Sequence, residues 1–141
     1  ERQATAAAEY IRSVIDAHGL GTRRRIIRTS HVRRAIVFGA RIGSALTADV
    51  REEWEPLTPA DAVDSDQRSA NLDAVARYLR SQLHISSEEI PILVTHAPNI
   101  ALLLEELRVD KPENIPTGMV TLFEATPTAL VVAHVPPDVS P

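Results

Sequence analysis

The segment Pro91-Ile92-Leu93-Val94-Thr95-His96 constrains this chain more than any other. A proline opens an unbroken apolar run, the pattern of a parallel strand buried on both faces. Ala97-Pro98-Asn99 follows at once, and the residues from Ala101 to Leu107 read as a helix directly behind the strand. A histidine is thereby set at the carboxyl edge of a strand, just before a helix begins. In open α/β sheets that edge is where ligands bind, and the first turn of the following helix offers unpaired N–H groups that favour an anion. His96 is placed to donate to a phosphoryl oxygen, or else its ring bonds a neighbouring carbonyl.

The segments around it alternate in the same way. A helix is predicted from Thr5 to His18, with Tyr10, Ile11, Val14 and Ile15 on one face and Gly19 as its stop. Ile26 to Thr29 reads as a short strand. A second helix from Val32 to about Ala45 is expected to bury Val32, Ile36, Ala40 and Gly43. Asp49 to Glu53 fits a short strand or a turn, and the prolines of Pro56 to Asp61 make a loop. A helix capped by Ser65 or Asp66 repeats Leu72, Val75, Ala76, Leu79 and Leu83 at helical spacing. Met119 to Glu124 and Leu130 to Val135 form a hairpin, and the Pro136-Pro137 tail is expected to fray. Such alternation predicts one α/β domain over residues 1–141, with helices on both faces of a sheet. The chain opens almost inside its first helix, which leads to the expectation that an N-terminal strand is missing.

Composition narrows the chemistry. The 141 residues contain no cysteine, so disulfides, thiolate metal sites and cysteine nucleophiles are excluded. A net charge of −4 argues against nucleic acid as a partner. No apolar run approaches the ~20 residues that cross a bilayer, and Glu1-Arg2-Gln3 opens no secretory signal. The histidines fit no metal motif, and neither a phosphate-binding Gly-x-x-x-x-Gly-Lys loop nor a Gly-x-Ser-x-Gly elbow occurs. No metal or cofactor is therefore expected. Fourteen arginines accompany the lone Lys111; the rigid guanidinium fork suits bidentate binding of phosphate, though codon composition produces the same bias.

Two further segments are candidates. In Thr29-Ser30-His31-Val32-Arg33-Arg34-Ala35, polar residues again sit at a strand-to-helix turn. Arg34 lies beside the expected apolar stripe and is read as reaching inward, with Arg33 on the surface; Ser30 and His31 line the same cleft, or Ser30 merely caps the helix. In Val50-Arg51-Glu52-Glu53-Trp54-Glu55, a carboxyl beside a phosphate site could act as general acid, shielded by the only tryptophan. A solvated acidic turn is the alternative. His18, His84 and His134 are weak candidates.

Together these segments resemble the histidine phosphatase superfamily, with its phosphoglycerate-mutase-like fold. Thr29 to Ala35 is similar to the family's Ser-Ser-Pro-x-x-Arg-Ala turn, and Leu93-Val94-Thr95-His96-Ala97 to its second histidine at a strand end. Glu1-Arg2-Gln3-Ala4 looks like the family's Thr-Glu-x-Gly-x-x-Gln-Ala helix start without the glycine, and Val50-Arg51-Glu52 like the Leu-Arg-Glu of mitochondrial relatives. The resemblance implies a three-layer α/β/α fold with a mostly parallel central sheet. It implies hydrolysis of a phosphomonoester, on a small molecule or a phosphoprotein, through a phosphohistidine. Arg34, His96 and Ser30 would bind phosphate, with His96 stabilising charge and Glu52 protonating the leaving oxygen. The family's Arg-His-Gly, which carries the nucleophile, is absent from this sequence. Two expectations follow: a phosphatase whose first strand lies outside this sequence, or a degenerate, non-catalytic member that binds or scaffolds. A second copy of the chain or a partner supplying the missing strand is expected, in an intracellular setting, cytoplasmic or mitochondrial.

Overall fold

In the computed structural model, residues 2–17, 19, 21–84, 89–108, 120–125 and 130–135 are described. Glu1, His18 and the Pro136-Pro137 tail lie outside them. So do the side chains of Leu83, His84 and His134. The elements run α1 (Arg2–Ala17), β1 (Arg24–Thr29), α2 (Arg33–Leu46), β2 (Val50–Glu53), α3 (Ser65–His84), β3 (Glu89–Val94), α4 (Ala97–Glu106), β4 (Val120–Ala125) and β5 (Leu130–Val135). Two 3-10 turns, Glu55–Leu57 and Ala60–Ala62, fill the loop that the prolines predict. The fold is α/β, with a small open sheet of three parallel strands in the order β2-β1-β3. The predicted hairpin pairs β4 with β5, antiparallel, as a separate two-stranded sheet.

The central place belongs to β1 rather than to the apolar run of β3. Ile27 of β1 is fully buried and Ile26 nearly so, whereas every residue of β3 is only partly covered. The strand expected to be buried on both faces has β1 as its one described neighbour. Parallel strands side by side align their carboxyl ends, so β1, β2 and β3 all finish at one edge: Thr29 pairs with Glu53 on one side and with Val94 on the other.

Alternation along the strands sends side chains into two cores. Ile27, Ile92 and Val94 meet Ala7, Ala8, Ile11, Ile42 and Leu46 of α1 and α2. Leu93 joins Leu57, Val75, Ala76, Leu79, Leu103 and Leu107 against α3 and α4. Fully burying one such aliphatic side chain contributes roughly 1.5–3 kcal/mol.

The buried face of α2 is not the one expected. It consists of Ala35, Gly39, Ile42, Gly43 and Leu46, while Ile36 is 37% exposed and neither Val32 nor Ala40 is fully buried. Small residues win because they let the helix approach the sheet. A Cβ on Gly39 would lie 2.5 Å from Thr29 Cγ2, so only glycine fits there without movement. The α3 cap also differs: Asp64 Oδ1 accepts from Gln67 N–H at 2.8 Å, one residue ahead of the expected Ser65 or Asp66. Between α1 and α2, the Arg12 side chain donates to the Ala45 carbonyl.

Candidate functional site

At the carboxyl edge of β1 and β3, two residues 66 apart in sequence meet: Ser30 Oγ lies 2.8 Å from His96 Nε2. Ser30 is wholly buried and His96 is 9% exposed. His96 is the residue immediately before α4, held by an extended backbone, with Pro98 in the helix's first turn. Ser30 N–H donates to the Val94 carbonyl at 3.3 Å, extending the β1–β3 pairing by one step and bringing the two turns together.

The hydroxyl also accepts from Val32 N–H at 3.3 Å. The ring's tautomer sets the direction of the Ser30–His96 bond: with Nε2 as the acceptor the neutral ring carries its proton on Nδ1, which is then free to donate, and with Nε2 protonated the hydroxyl accepts. Ser30 is not the cap of α2, which begins beyond Val32. Burial first, and the positive charge of Arg34 second, hold the His96 pKa below the ordinary 6.5; Asp61 opposes them, and His31 adds to the lowering. Arg34 itself is exposed, as is Arg33, so it does not reach inward along a buried stripe.

Glu52 is not brought to this group. It lies opposite Arg28 in the β1–β2 register and accepts from Arg28 Nε at 2.7 Å. Arg28 Nη1 in turn donates to Tyr78 Oη at 2.6 Å. The guanidinium carbon stands 5.0 Å from the centre of the Tyr78 ring, and Trp54 meets that ring edge to face at 5.3 Å. Burial works against the Arg28 charge, yet Glu52 and Tyr78 together hold its pKa above the ordinary guanidinium value.

What lies beyond the strand ends is instead a cavity of about 560 Å³. His31, Glu53, Trp54, Glu55, Gln67 and Asn71 are among its lining residues. Its floor is the loop after β2, tied down from three directions. Thr95 Oγ1 donates to the Leu57 carbonyl at 3.0 Å. Asn99 donates to the Thr58 carbonyl at 2.8 Å and accepts from Ala60 N–H at 2.9 Å. Arg68 Nε donates to the Ala60 carbonyl at 2.9 Å.

Sequence reading singled out the acidic Trp54 segment but fixed on Glu52. Period-two alternation places Glu53 on the opposite side of β2, and that was the available signal. Nothing local pointed to Asn71 or Asn99, whose partners lie on the same turn of a helix or about forty residues away. Among the described residues no three His, Asp or Glu side chains converge as a metal site requires, and no helix is long and apolar enough to cross a membrane.

Comparison with protein-family models, with curated proteins and with solved structures finds no match.

Proposed function

We propose that this chain forms a histidine-phosphatase-like domain that holds a phosphomonoester at the carboxyl edge of its sheet. The supporting observation is the buried Ser30–His96 bond at the ends of adjacent parallel strands, with the Arg34 charge acting on the same ring. In this reading Arg34 clamps the equatorial oxygens and His96 Nδ1–H donates to one of them, both charge-assisted contacts. Ser30 fixes the ring and its tautomer. Glu52 serves as proton donor only when its pair with Arg28 opens.

Hydrolysis by the family's route needs a nucleophilic histidine to be phosphorylated and then released by water. The strand carrying it would complete a three-layer, phosphoglycerate-mutase-like sheet, and the apolar, half-covered β3 with His96 at its end is the edge that suits it. A degenerate, phosphate-binding module is the second reading, favoured by the absence of Arg-His-Gly from the sequence.

The test is a titration of the chain with inorganic phosphate and with vanadate, followed at the His96 ring by NMR. Perturbation of that ring, affinity falling with salt and at least tenfold weaker binding in Arg34→Ala are expected. An unmoved His96 signal rejects the site. Turnover of an aryl phosphate by a longer chain bearing an upstream Arg-His-Gly segment, and not by the 141 residues alone, selects the phosphatase; turnover by neither selects the binding module.

A further inference from the structure

Resting on that phosphoester site, we propose that Asp61 is its second carboxyl, set against the bound ester and holding a proton toward it without the opening that Glu52 requires. The resemblance points to Glu52, which Arg28 holds at 2.7 Å. Asp61 is the middle residue of the 3-10 turn Ala60–Ala62, in the loop after β2.

The place of Asp61 follows from the bonds on either side of it. Ala60, directly before it, donates its N–H to Asn99 Oδ1 at 2.9 Å, and the Ala60 carbonyl accepts from Arg68 Nε at 2.9 Å. Ala62, directly after it, donates its N–H to the Pro59 carbonyl at 2.9 Å, and the Val63 carbonyl accepts from Arg68 Nη2 at 3.3 Å. Asn99 belongs to the first turn of α4, which His96 precedes. The turn that carries Asp61 therefore packs on α4 at the end where His96 meets Ser30. Two helices fix the backbone of a residue whose own side chain is exposed and makes no hydrogen bond or ion pair with a described residue.

The electrostatics of the ring agree with that placement. Asp61 is the one carboxylate among the causes that set the His96 pKa, and it acts against burial, Arg34 and His31. On the α3 side the charges flanking the turn are Arg68, fixed on the loop carbonyls, and Asp64, which accepts from Gln67 N–H at 2.8 Å. A dianionic ester held by His96 and Arg34 meets the Asp61 carboxylate as a like charge, and a proton on the carboxyl removes the repulsion. The protonated group then donates a hydrogen bond to an ester oxygen. In a phosphatase this proton passes to the leaving oxygen as its bond to phosphorus breaks and the nucleophilic histidine nitrogen bonds to phosphorus. The alcohol leaves neutral, and Asp61 is left as the carboxylate.

The experiment follows the side-chain carboxyl carbons of this chain by NMR through pH titrations, without and with saturating inorganic phosphate. The Asp61 midpoint is expected to rise by about one pH unit or more with phosphate, a shift that charges a few ångströms apart produce. Glu53 and Glu55, which line the neighbouring cavity, should move by under about half a unit, as a screened field allows. By linkage a one-unit shift is a tenfold difference in phosphate affinity between the two forms of the carboxyl. Asp61→Asn, an exposed change that keeps the fold, should therefore bind phosphate about tenfold more tightly at about pH 7.5. An Asp61 midpoint that moves no more than those of Glu53 and Glu55, or an Asp61→Asn chain that binds phosphate no more tightly, overturns the inference and leaves the phosphate site standing. Failure of phosphate to perturb the His96 ring removes the phosphate site first and the inference with it.

Discussion

The two strand-to-helix turns at the carboxyl edge of the sheet differ in length and in what their polar side chains do: Ser30, His31 and Val32 join β1 to α2, whereas Thr95 and His96 alone join β3 to α4. After β3, Thr95 and Asn99 both spend their side chains on the backbone of the Leu57–Ala60 loop, so His96 sits between two anchors. After β1, Ser30 is buried and spent on His96, but His31, Arg33 and Arg34 stand exposed on the surface. One turn carries a buried ring; the other carries exposed basic side chains. What differs is whether the flanking polar side chains find partners on another element, and a phosphate site needs both a fixed donor and an adaptable clamp.

The contrast breaks most readily at Asn99. Asn99→Ala removes two hydrogen bonds to half-buried backbone groups and should cost about 2 kcal/mol in denaturant unfolding; a loss under about 0.5 kcal/mol would show that the loop is not held by α4. Next is Ser30→Ala, expected to cost about 1.5 kcal/mol because His96 Nε2 and Val32 N–H lose a buried partner. The His96 ring should then change tautomer or exchange between two, visible in its ¹⁵N shifts, and an unchanged ring would mean that Ser30 does not set it. Gly39→Ala tests how tightly α2 holds the β1 turn. Its new methyl meets Thr29 Cγ2, which is buried, and a net loss of about 1 kcal/mol is expected after the helix gain. Gly43→Ala meets the Arg51 side chain at 2.6 Å and the buried Ile27 Cδ1 at 3.3 Å, so it should cost less than Gly39→Ala, and a larger loss at Gly43 would count against the Thr29 clash.

A smaller effect follows from pH. The folded His96 pKa lies below the unfolded 6.5, so between those two values the unfolded chain binds more protons. The contribution of His96 to stability is therefore fully present above about pH 6.5 and declines as pH falls from 6.5 through the folded pKa. After burial, the charges of Arg34 and His31 widen the pH range of this decline and that of Asp61 narrows it. Unfolding midpoints taken from pH 7.5 down to 5 should show that decline and should flatten in His96→Gln; a parallel curve in the variant would assign the slope elsewhere. The smallest effect belongs to the exposed arginine after β1. Arg34→Ala should change stability by less than about 0.5 kcal/mol, as expected for an exposed side chain, while weakening anion binding. A large loss of stability would make Arg34 a structural residue and erase the difference between the turns.

Much of the edge was legible locally. The run Ile92-Leu93-Val94 followed by His96-Ala97-Pro98 specifies a strand ending at a helix start, because apolar continuity and proline punctuation act within a few residues. The same holds for Ile26 to Thr29 followed by Ser30. These features determined the element order, the parallel sheet and the arrival of Ser30 and His96 at strand ends. The sequence could not say which strand is central, because that depends on which edges find neighbours and not on which strand is most apolar. Nor could it choose the buried face of α2, where closeness of approach at Gly39 outweighed the larger area of Ile36. Periodicity counts side chains, whereas packing weighs shape. Tertiary structure alone decided that Glu52 belongs to Arg28, while Glu53 and Glu55 line a cavity with Trp54 and pair with no cation among the described residues. A carboxylate's role is set by the charges that a folded neighbour brings within a few ångströms, and those neighbours lie tens of residues away along the chain.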